Sequence, residues 1–333
     1  MDFLTQKLDN FLAVAGGIFL NYGSVFSISS LLCALLVATV HFAFRRYRRG
    51  RRIRLRTLVA ALFPRRIIAH RSTRADLAMF VINGFVLGGV LGFAAISGQA
   101  IYSVVHGGLT GMFGQLSPST LPEWSQRVLV TLVLFLAYEF GYWFEHYLSH
   151  RVPILWEFHK VHHSAEHLTP LTQWRMHPVN AITFGNILAL SLAVPFAVLS
   201  YVLGGQVKEY AFSGTNVLLV VFIHLYIHLQ HSEVWIPFRG IWGRIFMSPA
   251  HHQVHHSNNP IHFDKNMGSC LSIWDWAFGT LYVPAKENEH LTFGVDAAYD
   301  VNTLEAGLVT PFIEAGKQVG GLISPRPAPA RQA

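Results

Sequence analysis

The 333-residue chain is 52% hydrophobic and only 13% charged, about half the charge of an ordinary soluble domain. It carries a net charge of +7 and two cysteines, Cys33 and Cys270, which argues against a water-facing globule, a disulfide scaffold and a zinc ribbon. The apolar residues fall in long runs, so the expected class is all-α, an integral membrane helical bundle.

Residues 1–23 hold an apolar stretch too short to span, expected to lie at the interface. Residues 25–44 form the first span, stopped by Arg45, Arg46, Arg48, Arg49, Arg51, Arg52, Arg54 and Arg56. Directly after an apolar run, such a cluster reads as a cytosolic anchor at anionic headgroups rather than a nucleic-acid site. Residues 77–97 read as a second span, in which Gly84, Gly88, Gly89 and Gly92 offer a close-approach face. Residues 98–125 are rich in Gly, Ser and Pro and read as a loop; spans at 128–147, 181–203 and 212–229 follow. The tail beyond Ser324 reads as disordered. Asp2 and Asp9 at the start argue against a cleaved signal. The expectation is four to five spans with a cytosolic helical cap, divided into an N-terminal membrane region (1–125), a catalytic region (126–290) and a C-terminal extension (291–333).

Histidine is the compositional anomaly: 19 are present, most of them between His146 and His262. His146 and His150 are one helical turn apart; His159, His162 and His163 share a face, and so do His252, His255 and His256. His224, His228 and His231 have offsets that fit one helical face as well. With the arginine run in the cytosol, counting spans delivers all these groups to that same face. One ion takes four to six donors, so this many imidazoles suit two. The set lacks the carboxylates of Glu-x-x-His bundles and the thiolates of structural zinc sites. The expected ligands are His146, His150, His159, His162, His163, His252, His255 and His256, then His228 and His231, with His224 and His251 after them. Glu139, Glu145, Asp264 and Asp275 are candidate partners for the rings' outer nitrogens, and His177 is either such a partner or structural. His41, His70, His106 and His290 read as packed or interfacial side chains.

At these residues the chain resembles the fatty acid hydroxylase/sterol desaturase superfamily, which shows His-x(3,4)-His, His-x-x-His-His and a later His-x-x-His-His. Tyr142-Trp143, His163-Ser164, Arg175-Met176-His177-Pro178 and Ser248-Pro249 agree with its flanking elements. Asp264-Lys265-Asn266-Met267-Gly268 and Trp274-Asp275-Trp276-Ala277-Phe278-Gly279-Thr280 resemble the alkylglycerol monooxygenase-like branch. Glu139 stands where many members have Asp, and Met267 where Tyr is usual. The resemblance implies two irons (zinc being acceptable to the same imidazoles in an expressed sample), O2 as co-substrate, and hydroxylation or desaturation of a lipid. It also implies electrons from an external donor protein and an active site on the cytosolic face, at the inner membrane in a bacterium. A membrane zinc-dependent lipid hydrolase and a non-catalytic metal-handling protein are the alternatives; oxygen dependence separates the first and metal flux the second.

Overall fold

The structure, a computed structural model, describes residues 3–87 and 96–323. It is helical, apart from a two-residue antiparallel hairpin pairing Ala211 with Asn216 and Phe212 with Thr215. Among the described residues, three helices are long and apolar enough to cross a membrane: α2 (Ile28–Arg48), α6 (Glu123–Arg151) and α8 (Pro178–Val202). Around them lie α1 (Phe3–Phe19), α3 (Leu55–Leu62), α4 (Arg71–Val81), α5 (Gly98–Phe113), α7 (Pro153–His163) and α9 (Val217–Gln230). The short helices α10 (Gly240–Ile245), α11 (Pro249–His255), α12 (Ile273–Phe278), α13 (Leu304–Leu308) and α14 (Thr310–Ile323) complete the chain.

Three sequence expectations change. The span expected at 212–229 begins in the hairpin, and α9, which follows it, is shorter than a span. Residues 98–113 are helical rather than a loop: Ser97 accepts from Ala100 N at the N-terminus, and Tyr102 and His106 meet Phe196 and Tyr201 of α8. Packing against an apolar neighbour outweighs the glycines' weak propensity, which membranes tolerate better than water does. The second span is not one helix over 77–97. Its N-terminal part is α4, continued by a π-helical turn over Ile82–Leu87, and residues 88–95, with Gly88, Gly89 and Gly92, lie outside the described residues. The tail expected to be disordered lies outside them too.

The spans gather their histidine-bearing ends together. α6 and α8 are antiparallel: Gly141 faces Ser191, while Glu145 near the C-terminus of α6 meets Asn180 and Thr183 in the first turns of α8. A Cβ on Gly141 would stand 2.5 Å from Ser191 Oγ, so only glycine allows this approach. α9 runs parallel to α6, with Phe135 against Phe222 and Ile223. α2 runs parallel to α9: Ser29 and Ser30 contact His224 and His228, and Ala34 and Ala38 pack on Tyr226, Leu229 and Val234. The arginine end of α2 therefore projects past the same end of the bundle as the histidines.

A buried ion pair closes that end. Arg175, 1% exposed, bonds Asp76 of α4 at 3.1 Å, Val161 O and Ser164 of the α7 end, and Val301 O and Asn302 ahead of α13. α14 then lies along α7, with Phe312 against Phe158 and His177.

Candidate metal centre

Three helices around the site share a start. α7, α8 and α11 each begin with proline in the first turn, at Pro153, Pro178 and Pro249, where its missing N–H costs nothing and its φ is already helical. His177 caps α8 by accepting from Val179 N, and Ser248 caps α11 by accepting from His251 N. His251 completes a capping box and its other nitrogen bonds Gly243 O at 3.0 Å, so both its nitrogens are engaged in structure.

The imidazoles converge in two groups. His146, His150, His159, His163 and His255 form one, and His162, His231, His252 and His256 the other, with ligand atoms in each group within 4.8 Å of one another. In the second group His231 Nε2 lies 3.2 Å from His162 Nε2, 3.2 Å from His256 Nε2 and 3.0 Å from His252 Nε2. In the first, His146 and His159 approach Nε2 to Nε2 at 3.1 Å.

A neutral imidazole has one proton for two nitrogens, and several outer nitrogens already use it. His146 Nδ1–H donates to Met267 O at 2.8 Å, His255 Nδ1–H to Lys265 O at 2.8 Å, His159 Nδ1–H to Asn180 Oδ1 at 3.1 Å and His162 Nδ1–H to Thr172 O at 3.2 Å. Those rings present lone pairs inward. Nε2 of His150, His163 and His255 is buried with no partner among the described residues. Burial, then repulsion among the rings, holds His162, His163, His252, His255 and His256 well below the ordinary histidine pKa, and burial takes His159 down to about 4. Neutral, inward-facing imidazole nitrogens gathered this closely could hold metal cations.

The acidic candidates act at one remove. Asp275, buried, accepts from Met267 N and Gly268 N at 2.8 Å and from Thr280 Oγ1 at 2.6 Å. Glu139 accepts from Cys270 N and Leu271 N. Together they clamp the loop whose carbonyls at 265 and 267 receive His255 and His146. Asp264 and Asn266 in that loop have φ of 56° and 59°, a strained shape that the clamp sustains. Glu145 reaches His159 through Asn180, whose amide donates to it at 3.0 Å. Asp264 lies 3.5 Å from His150 Nδ1 and bonds Arg151.

His228, expected among the ligands, falls outside both groups. Its Nε2 bonds Ser30 Oγ at 3.1 Å and its ring lies edge-on to Phe26, while His224 bonds Ser29. The shared face of His224, His228 and His231 fails because α9 contains a π-helical turn over Ile223–Ile227, and because His231 lies past the helix end with φ −98° and ψ 69°. That turn of backbone swings His231 alone into the site. Sequence reasoning missed Asn180, Thr172 and the two loop carbonyls. A polar residue opening an apolar span signals Asn180; a backbone acceptor leaves no trace in side-chain identity.

Residues 131–280 match the model of the fatty acid hydroxylase family. Human alkylglycerol monooxygenase is 33% identical over 172 residues, 51% of this chain and 34% of that protein. The ornithine lipid hydroxylase of Rhizobium tropici is 30% identical over 199 residues, 59% of this chain and 54% of that protein. Rat cholesterol 25-hydroxylase is 28% identical over 191 residues, 56% of this chain and 57% of that protein. The match thus covers between a third and just over half of these relatives' length. No solved structure matches.

Proposed function

We infer, from the match of residues 131–280 to the fatty acid hydroxylase family, that this chain is a membrane-bound, O2-dependent oxygenase of a lipid. The observation that carries the reading is the double set of imidazole nitrogens, five and four, gathered where the ends of α6, α7, α9 and α11 meet. We assign His146, His150, His159, His163 and His255 to one iron and His162, His231, His252 and His256 to the other. Iron so held supplies activation of O2 and oxidation of an unactivated C–H bond. The overall reaction is R–H + O2 + two electrons + two protons → R–OH + H2O, with the electrons from an external donor protein. Relatives that bear the names monooxygenase and hydroxylase support this balance.

The chain's own residues orient the rings. The loop carbonyls, Asn180 and Thr172 fix ring tautomers, so that lone pairs point inward before any ion arrives. Met247, Ala250, Val254 and Met267, in or beside the segments that carry His251 to His256 and the loop carbonyls, are fully buried. The arginine run beyond α2, suited to anionic headgroups, supports a site on the cytosolic face. The catalytic region is taken as 126–290, and packing of α14 on α7 adds the C-terminal extension to it as a brace.

The test uses full-length protein in nanodiscs. Metal analysis is expected to give two irons per chain, and His162→Ala and His252→Ala to lose metal and all turnover with helicity unchanged. Under labelled O2 a lipid product gains one labelled oxygen. Turnover without O2, or label arriving only from water, would replace this reading with a zinc hydrolase.

A further inference from the structure

The nine grouped rings are nearly sealed in protein: the side chain of His150 is 6% exposed, and each of the other eight residues at most 9%. A cavity of about 490 Å³ reaches them from the surface. His150, His163, His255 and His256 line it, whereas a second cavity, of about 410 Å³, is lined by none of the nine. His150, His163 and His255 belong to the first group, and their Nε2 atoms are buried with no partner among the described residues. His256 belongs to the second group and stacks on His163, with 4.5 Å between ring centroids. Access is therefore unequal. The first group meets the cavity with three rings and the second with one, while His162, His231 and His252 take no part in the lining.

The lining suits passage rather than retention. Trp156, Phe263 and Val295 make much of it apolar and give a cation no ligand. A water takes roughly 10–15 Å³ of cavity, so an ion fits there with its hydration shell. Lys160, also in the lining, is paired with Glu157. Asp264 lies 3.5 Å from His150 Nδ1 and bonds Arg151 at 2.8 Å. Asp296 is exposed and has no partner among the described residues. The uncompensated charge of the lining is thus negative, which raises the local concentration of cations.

Resting on the two-metal reading, we propose that this cavity is the way in for both metal ions. Asp296 collects a hydrated divalent cation at the mouth. His150, His163 and His255 replace its waters and fill the first group. The second group fills more slowly, past the stacked rings of His163 and His256. Asp296 belongs to neither group, so it sets the rate of loading and not the final content.

Uptake kinetics test this without turnover. Full-length Cys33→Ala, Cys270→Ala protein in nanodiscs, stripped of metal by a chelator and then freed of it, is mixed with Co2+. Binding is followed by the visible absorption of imidazole-bound cobalt. Two phases are expected, and His252→Ala, which breaks the second group alone, is expected to lose the slower one. Asp296→Asn is expected to slow the faster phase about threefold at low salt, with the difference gone at high salt and two cobalt ions bound at the end. Asp296→Cys capped with a bulky maleimide is expected to slow both phases about tenfold. Capped after loading, it is expected to slow release to the chelator likewise. The proposal is overturned by uptake that the cap leaves unchanged, by a cap that slows one ion and spares the other, or by a cap that lowers final content rather than rate. Loss of the faster phase in His252→Ala overturns it as well. Parent protein that binds no cobalt sinks the two-metal reading itself, whereas two ions bound at cap-insensitive rates sink the route alone.

Discussion

At the residue scale, a histidine is defined by what its second nitrogen touches. His146, His159, His162 and His255 give Nδ1–H to an oxygen and keep Nε2 free. His177 does the reverse: its Nδ1 accepts Val179 N to cap α8, and Nε2–H donates to Leu308 O at 3.2 Å. Burial holds the His177 pKa below its ordinary 6.5, with the Leu308 carbonyl opposing. Protonation would also destroy the capping acceptor. A depressed histidine pKa means the unfolded chain takes the proton first, so its stabilising contribution is complete above about pH 6.5 and declines as pH falls from there toward the folded value. His177→Asn supplies a cap that does not titrate. Melting curves of the variant and the parent are expected to diverge below pH 6.5, the parent losing more. Parallel curves down to pH 5 would show that the ring has no such role.

At the element scale, the loop after α11 explains two motifs that are opaque in one dimension. Asp264–Gly268 and the segment around Asp275 are two halves of a clamp: Asp275 holds the loop's N–H groups, and the loop's carbonyls hold His146 and His255. Asp275→Ala would leave buried donors unsatisfied, each costing about 1–3 kcal/mol. The expected outcome is a metal affinity about 10–100-fold weaker, measured by competition with a chelator, with helicity retained. Unchanged affinity would separate the clamp from the ligands. The three tight histidine groups were legible in the sequence because helical spacing places them, and so were the three long spans. The His224, His228, His231 series was not, since a π-helical turn defeats a period of 3.6. The α5 helix was not, since glycine content speaks against a helix until the partner that packs on it is known.

At the scale of the whole molecule, antiparallel and parallel packing puts the arginine end of α2 and both histidine groups past one end of the bundle. Gly204 lies at the other, against Ser117, with a φ of 67° that glycine alone adopts without strain. In a Cys33→Ala, Cys270→Ala background, single cysteines at Gly50 and Glu287 are expected to react with an impermeant maleimide from the cytosolic face, and one at Gly205 from the opposite face. Reaction of Gly50→Cys and Glu287→Cys from opposite faces would dismantle the topology. The origin of the nine rings also has a consequence for synthesis. The early segments supply His146 to His163, but His255 belongs to one group and His252 and His256 to the other. Neither group is complete until the same late segment has been made, after every span is in place. A nascent chain therefore displays partial, open histidine sets through most of its translation, and both sets are closed only by α11, the last histidine-bearing helix of the two groups to be made.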